Sequence, residues 1–406
     1  MFYETDINNF IKKHITRRQE SLLQADLDSY DPILRQRING KRVLVIGGAG
    51  SIGSSYIKAI LRYGISCLVV VDTDENGLTE LVRDLRSSDD YAIPDELITY
   101  PVNYGDKVFE KLFLKHGPFH IVANFAAHKH VRSEKDIFSI EAMIKNNVLQ
   151  AKKLMDLMLA SPPEHFFCVS TDKAANPVSI MGASKKLMEE LIMAYSDRLN
   201  IKTARFANVA FSNGSLPFGF IERMRKQQPL ACPRNISRYF VSPEESGELC
   251  LIASILGESG DIFFPKLDAQ RDMIPFDQIA EKFLESNGLE TDSCESEEEA
   301  RKKAALLNTK PKKYPVYFFN SDTSGEKAFE EFYTKDENPD MQTFAKLGII
   351  KNHSKKSIEE ISEILEKLQE LFESHHVTKN AIVDILKKIV PTFEHIETDK
   401  GLDSKM

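Results

Sequence analysis

The chain has 406 residues, a formal charge of −8, 42% apolar and 28% charged residues. That balance suits a globular protein large enough for a substantial core, and it argues against a broad nucleic-acid surface. No apolar run approaches the roughly 18 residues needed to span a bilayer, and the polar N-terminus lacks a leader-like pattern, so the sequence reads as cytoplasmic.

Residues 1–40 read as a helical N-terminal extension. Phe10, Ile11, Ile15, Leu22, Leu23 and Leu27 recur as one helical face, the pattern of a packing arm or an oligomer contact. Residues 41–210 alternate apolar runs with amphipathic helical patterns. Strands are predicted at 42–46, 67–71, 97–101, 121–125, 165–169 and 203–206. Short runs that are apolar throughout belong to strands buried on both faces, so the expected class is α/β, a Rossmann-type doubly wound parallel sheet.

Residues 211–350 are less regular, with short strands at 261–264 and 316–319 and an acidic helical tract at 296–307. They read as a smaller substrate-binding portion interleaved with the Rossmann core. Residues 351–406 read as a C-terminal helical extension. Its first helix carries Ile358, Ile361, Ile364, Leu365, Leu368 and Leu371 as an apolar stripe for core or oligomer packing. The last ten residues are polar and expected to fray. Five scattered cysteines (Cys67, Cys168, Cys232, Cys250 and Cys294) form no C-x-x-C pair or Cys/His cluster, which predicts reduced core thiols and no metal site.

Val43-Leu44-Val45-Ile46 feeds a turn with glycines at Gly47, Gly50 and Gly53. The first glycine permits the tight turn, the second lets backbone approach a pyrophosphate, and the third lets helix pack on strand. Ser51 and Ile52 open the following helix, whose N-terminus favours an anion. The next strand ends in Asp72. A carboxylate there accepts both adenosine ribose hydroxyls and repels a 2′-phosphate, which favours NAD over NADP. Asp74 and Asn76 extend that polar edge. After the fourth strand, Ala126 and Ala127 allow close approach of a cofactor. His128 and His130 read as ordinary loop residues, whereas Lys129 can hold phosphate as a point charge.

Thr171-Asp172-Lys173 follows the fifth apolar run and sets an acid beside a cation at a strand end, where the ligand crevice of an α/β sheet lies. Met181 and Lys185 then form M-x-x-x-K, at the place where a short-chain dehydrogenase carries Y-x-x-x-K.

The segments GGAGSIG, AAHKHV, STDKAANPVSIMGASK, RFANV, Gly214-Ser215, Arg238-Tyr239-Phe240 and SDTSGEK lie within residues 41–330. Through them the chain is similar to the extended short-chain dehydrogenase/reductase superfamily. Within it the chain resembles the CapD-like nucleotide-sugar 4,6-dehydratases of bacterial polysaccharide biosynthesis. Met181 resembles the branch acting on UDP-N-acetylglucosamine. The absence of an apolar span resembles soluble members of legionaminic-acid-type pathways, which include UDP and GDP users.

The resemblance implies an internal redox elimination. Hydride leaves C4 for NAD, H5 is removed, water departs from C5 and C6, and hydride returns to C6 to give a 4-keto-6-deoxy sugar. It further implies Asp172 as acid at the 6-hydroxyl, Lys173 as base at C5, Thr171 on the 4-oxygen and Lys185 on the nicotinamide ribose. An asparagine of the pair Asn146-Asn147 would brace the site. Lys173 would need a lowered pKa, from burial or from Lys185 and Lys129. Met181 cannot accept a proton, so the first deprotonation passes to Thr171, a water or a lysine. Arg234, Arg238 and Lys327 are candidates for the diphosphate or uridine, with Lys129, Asn208 and Glu326 beside them as substrate contacts. The Met variant resembles the branch that retains configuration at C5, and homo-oligomers are implied. Two alternatives stand beside this reading: a nucleotide-sugar C4 epimerase on the same fold, which usually keeps the tyrosine, and a non-catalytic NAD-binding regulatory protein.

Overall fold

A computed structural model describes residues 6–130, 134–307, 311–322, 324–325, 327, 329–351, 355–374 and 377–398. Its first strands take the apolar runs: β1 (Arg42–Ile46), β2 (Cys67–Asp72), β3 (Glu96–Pro101), β4 (Ile121–Asn124) and β5 (His165–Val169). β6 (Ile201–Ala204) begins and ends two residues before its predicted bounds. The register with β5 and β10 sets these bounds, while the Arg205 side chain just beyond the strand pairs with Glu189 and Glu337.

Further along come β7 (Asn208–Val209), β8 (Leu230–Pro233), β9 (Ser237–Val241), β10 (Ile262–Pro265) and β11 (Met273–Pro275). β12 (Glu290–Cys294), β13 (Lys313–Phe319), β14 (Pro339–Asp340) and β15 (Leu347–Ile350) complete the set. The main sheet has nine strands in the order β14-β15-β10-β6-β5-β4-β1-β2-β3. From β10 to β3 its strands run parallel, and β15 and β14 extend that edge antiparallel. The interleaving of the later segment is thus concrete: β10, β14 and β15 join the Rossmann-type sheet, while β7-β9-β11 and β8-β13-β12 form two small sheets.

Alternation along each strand feeds two cores. Val43 and Val45 face the helices Gln24–Ile38, Ser51–Ile60 and Pro243–Leu256, whereas Leu44 and Ile46 face the helices Ile137–Ile144 and Ile180–Tyr195. The N-terminal apolar set is split rather than continuous. Leu22, Leu23 and Leu27 join one main core, and Phe10, Ile11 and Ile15 join a third core around Phe220, Phe283 and Tyr314.

Ile361, Leu365 and Leu368 of the helix Ile358–Glu373, with Ile382 and Leu386 of the helix Lys379–Ile389, are buried in the core that holds the Ile180–Tyr195 helix. The expected fraying does not hold at 397 and 398. Lys379 pairs with Glu397 at 2.6 Å, and the Thr398 hydroxyl donates to the Asp322 carbonyl at 2.8 Å. All five cysteines are buried as free thiols. Among the described residues no helix is long and apolar enough to cross a membrane.

Candidate active site

Strand order puts β1 between β4 and β2, with β5 beyond β4. The carboxyl ends of these parallel strands open on one crevice at the point where the winding reverses, and the Gly-rich turn, the loop after β4 and the Thr171 turn all sit there.

The Gly-rich turn is shaped by close backbone approach. Gly47 has φ +74°, and a Cβ on it would lie 2.6 Å from the Ala126 nitrogen. A Cβ on Gly53 would lie 2.2 Å from the Gly47 carbonyl oxygen, so this glycine sets helix against turn. Gly50 is the N-cap of the helix Ser51–Ile60 and offers no side-chain acceptor to its first turn. Ile52 is half-buried against both main cores, and the Ser51 hydroxyl accepts from the Asn213 N–H at 2.9 Å, which ties the turn to the later segment.

The Asp72 carboxylate lies across the turn. One oxygen accepts from Ala49 N at 2.9 Å, the other from Asp74 N at 3.0 Å. Asp74, expected on the cofactor edge, caps the helix Glu75–Arg86 by accepting from Gly77 N at 2.9 Å. Asn76 is exposed in that helix's first turn. The set fits a dinucleotide: a turn that tolerates no Cβ, an open helix N-terminus and a carboxylate at the end of β2.

The loop after β4 is braced from behind. The Asn124 side chain accepts from Ala126 N at 3.0 Å. Asn147 accepts from His128 N at 2.9 Å and donates to the His128 carbonyl at 3.0 Å and the Ser184 hydroxyl at 3.2 Å. It does so from an i→i+5 stretch, Lys145–Leu149, a local widening of the helix that turns a side chain inward. Ala126 and Ala127 are half-buried, and burial lowers the pKa of both His128 and Lys129.

Thr171, Asp172 and Lys173 form a hydrogen-bonded chain at the end of β5. The Thr171 hydroxyl donates to Asp172 Oδ1 at 2.9 Å, and Lys173 Nζ donates to the same oxygen at 3.0 Å. Asp172 is buried. Below them, Lys185 Nζ is buried and donates to the Val169 carbonyl at 2.8 Å, and burial lowers its pKa.

Met181 is 1% exposed and belongs to the core, while its backbone N–H donates to Glu134 Oε1 at 3.0 Å. The other Glu134 oxygen faces His395 Nε2 at 3.5 Å. His395 arrives on a C-terminal strap, where Glu394 N donates to Pro177 O at 3.1 Å and Ile396 N to Val178 O at 3.0 Å.

Lys173 corrects one expectation. Burial works against its ammonium, but Asp172 and Glu330 outweigh burial and raise its pKa. The lowered value expected from burial or from Lys185 and Lys129 is not what the surroundings produce, because a second carboxylate arrives from the later segment. Glu330 Oε1 stands 3.7 Å from Lys173 Nζ, and Glu330 Oε2 stands 4.0 Å from Lys327 Nζ. Arg238, buried in β9, donates to the Lys327 carbonyl at 2.9 Å, and Lys327 itself donates to the Asn176 carbonyl. Asn208 in β7 pairs in register with Phe240. Arg234 is exposed and stacks over Phe318, 4.6 Å from its centroid. Glu326 lies outside the described residues.

Glu330, Glu134 and His395 escape a reading of the sequence alone. The one signal for them there is the Glu330-Glu331 pair just beyond the Ser321–Lys327 segment.

A family model described as polysaccharide biosynthesis protein matches residues 43–352, from β1 through β15. The chain belongs to that family. It is similar to the probable polysaccharide biosynthesis protein EpsC of Bacillus subtilis, 28% identical over 319 residues, 78% of this chain and 49% of EpsC. The chain therefore spans about half the length of that relative. It is also similar to the UDP-N-acetylglucosamine 4,6-dehydratase (inverting) of Campylobacter jejuni, 29% identical over 243 residues, 57% of this chain and 69% of that one. In fold it resembles DesIV of Streptomyces venezuelae, a dTDP-glucose 4,6-dehydratase solved with NAD and TYD bound. The TM-score is 0.54 at 17% identity, over 72% of this chain and 88% of DesIV. The Rossmann-type architecture and the resemblance read from the motifs are both upheld.

Proposed function

We propose that the protein is an NAD-dependent nucleotide-sugar 4,6-dehydratase acting on UDP-N-acetylglucosamine or its GDP-linked counterpart. The observation that carries this reading is the hydrogen-bonded chain Thr171–Asp172–Lys173 at the end of β5, with Asp172 buried at its centre. It can accept, store and release protons within one hydrogen-bonded unit. On this reading residues 41–210 bind the cofactor and residues 211–350 the nucleotide sugar.

Gly47, Gly50, Ser51, Ile52 and Gly53 would cradle the pyrophosphate of NAD, Asp72 its adenosine ribose, and Lys185 the nicotinamide side. Bound NAD would supply a hydride acceptor for C4 and give the hydride back at C6. The residues manage the protons. Thr171 takes the 4-hydroxyl proton as its own hydroxyl proton passes to Asp172 Oδ1, 2.9 Å away. This relay replaces the tyrosine that Met181 cannot provide. Asp172, now protonated, delivers the former Thr171 hydroxyl proton to the departing 6-hydroxyl. Lys173 removes H5 and later returns a proton to C5. Thr171 keeps the O4 proton, its original hydroxyl proton leaves in the water, and each side chain ends as it began. Lys129, Arg238 and Lys327 would face the diphosphate.

Incubation with UDP- and GDP-N-acetylglucosamine, followed by mass spectrometry and NMR, tests the reading. A product lighter by one water, with a C6 methyl signal, is expected. An isobaric product from either sugar would replace it with the C4 epimerase.

A further inference from the structure

Removal of H5 needs a neutral Lys173, yet its surroundings hold the ammonium in place. Asp172 Oδ1 lies 3.0 Å from Lys173 Nζ and Glu330 Oε1 3.7 Å from it. Asp172 cannot accept the Lys173 proton, because the relay through Thr171 already loads it. Glu330 can. It is 4% exposed, and its Oε2 is buried without a hydrogen-bond partner among the described residues. The charged groups acting on it are Lys173, Asp172, Arg238 and Lys327, with Lys327 Nζ 4.0 Å from Oε2. Burial pushes the Glu330 carboxyl upward. Lys173, Arg238 and Lys327 pull it down, Asp172 pushes it up, and the net direction is up. A carboxylate so placed holds a proton more readily than one in water.

We propose that Glu330 is a positioning residue acting through Lys173: it receives one ammonium proton before H5 is removed and returns it at the end of turnover. The proposal rests on the dehydratase reading. An N–H bond of Lys173 breaks as an O–H bond forms on Glu330. The freed amine lone pair then takes H5, and the C5–H electron pair becomes the C5–C6 double bond. The C6–O bond breaks, and the hydroxyl leaves as water with the Asp172 proton. When C6 has regained its hydride, Lys173 protonates C5 and recovers its third proton from Glu330. No proton is gained or lost over the cycle.

The test compares wild type with Glu330→Gln and Glu330→Asp in deuterated water, following deuterium entry at C5 and NAD binding from pH 6 to 9. In parallel, the pH dependence of Lys173 acetylation, read by peptide mass spectrometry, reports the ammonium without turnover. Glu330→Gln is expected to keep the fold and NAD binding and to exchange H5 about 10²-fold more slowly at pH 7. Its rate should climb about tenfold per pH unit, because Lys173 must then lose its proton to solvent, whereas the wild-type profile stays flat. The Lys173 acetylation midpoint should fall by about one pH unit in the glutamine variant, where an anion has gone. Glu330→Asp should restore the flat profile at a several-fold lower rate. If Glu330→Gln fails to fold, the aspartate variant alone decides, and an unslowed H5 exchange in it overturns the role. Exchange in Glu330→Gln within twofold of wild type, or lowered by one factor at every pH, also overturns it. Wild-type enzyme that releases no water from either sugar sinks the dehydratase reading and this proposal together. Wild-type turnover with an unaltered Glu330→Gln profile sinks the proposal alone.

Discussion

The backbone N–H of Met181 donates to Glu134 at 3.0 Å, while the Met181 side chain is buried in the core. The residue at the usual tyrosine position is therefore a packing element, and Glu134 fixes its backbone from the loop after β4. Met181→Tyr should not raise turnover. Inserting a phenol into that packed core should cost about 1–3 kcal/mol, read as a lower midpoint in urea unfolding. A Met181→Tyr protein that is equally stable and faster would remove Thr171 from the relay.

Gly47→Ala places a Cβ 2.6 Å from the Ala126 nitrogen in backbone at φ +74°. The left-handed conformation alone costs about 1–2 kcal/mol in an L-residue, and the turn must move to relieve the contact. NAD affinity measured by calorimetry should fall about tenfold or more, the equivalent of 1.4 kcal/mol. Unchanged affinity would mean that the turn does not hold the pyrophosphate.

On the proposed mechanism, Asp172→Asn keeps the shape of the acid but cannot store the proton that Thr171 releases. Turnover should fall by about 10²–10⁴, with NAD binding and thermal midpoint near wild type. A non-catalytic NAD-binding protein would instead keep its function in this variant and in Lys173→Ala.

Glu189 supports the Thr171 turn from below, accepting from the Ser170 hydroxyl at 2.6 Å and pairing with fully buried Arg205 at 2.8 Å. Burial opposes its ionisation, but Arg205, Lys186 and Ser170 outweigh burial and lower its pKa to about 2. A depressed carboxylate stabilises the fold fully above its unfolded value near 4.5, and that contribution fades as pH falls toward 2. It amounts to about 3 kcal/mol at neutral pH. Glu189→Gln should lose about that much stability in urea at pH 7, with a smaller difference from wild type at pH 3. A gap that does not shrink would assign the effect to packing.

Lys202 is fully buried in β6, its Nζ 3.2 Å from His165 Nδ1. Burial first and Arg37 second lower its pKa to about 7, against the pull of Asp261. The unfolded chain binds this proton below about 10.5 and the folded chain only below about 7, so the group destabilises the fold increasingly as pH falls through that window. Lys202→Met should therefore be more stable than wild type at pH 7 by several kcal/mol, at about 1.4 kcal/mol for each pH unit between the two values, and the gain should shrink toward pH 10. Thermal melts at both pH values decide it.

Local pattern made much of this protein legible. The first five strands fall within one residue of the bounds read from apolar runs, because strands buried on both faces leave a signal that neighbours do not alter. The Gly-rich turn and the Thr171 turn were visible for a related reason, since their chemistry needs specific residue types adjacent in the chain. β6 lies two residues earlier than its apolar run suggests because its bounds follow pairing with β5 and β10, which the run itself does not show. The capping role of Asp74 shows only once the helix is seen, because an exposed carboxylate after β2 and a helix cap look alike in sequence.

Sequence by itself determined the sheet, the turn that fits a dinucleotide and the acid–lysine pair at the end of β5, all of them short-range consequences of side-chain periodicity and spacing. Tertiary structure alone decided the charge state of that lysine. The later segment that carries Glu330 packs against the end of β5 and brings that carboxylate within 3.7 Å of Lys173, and Coulomb interactions in a buried site depend on distance through space, not along the chain.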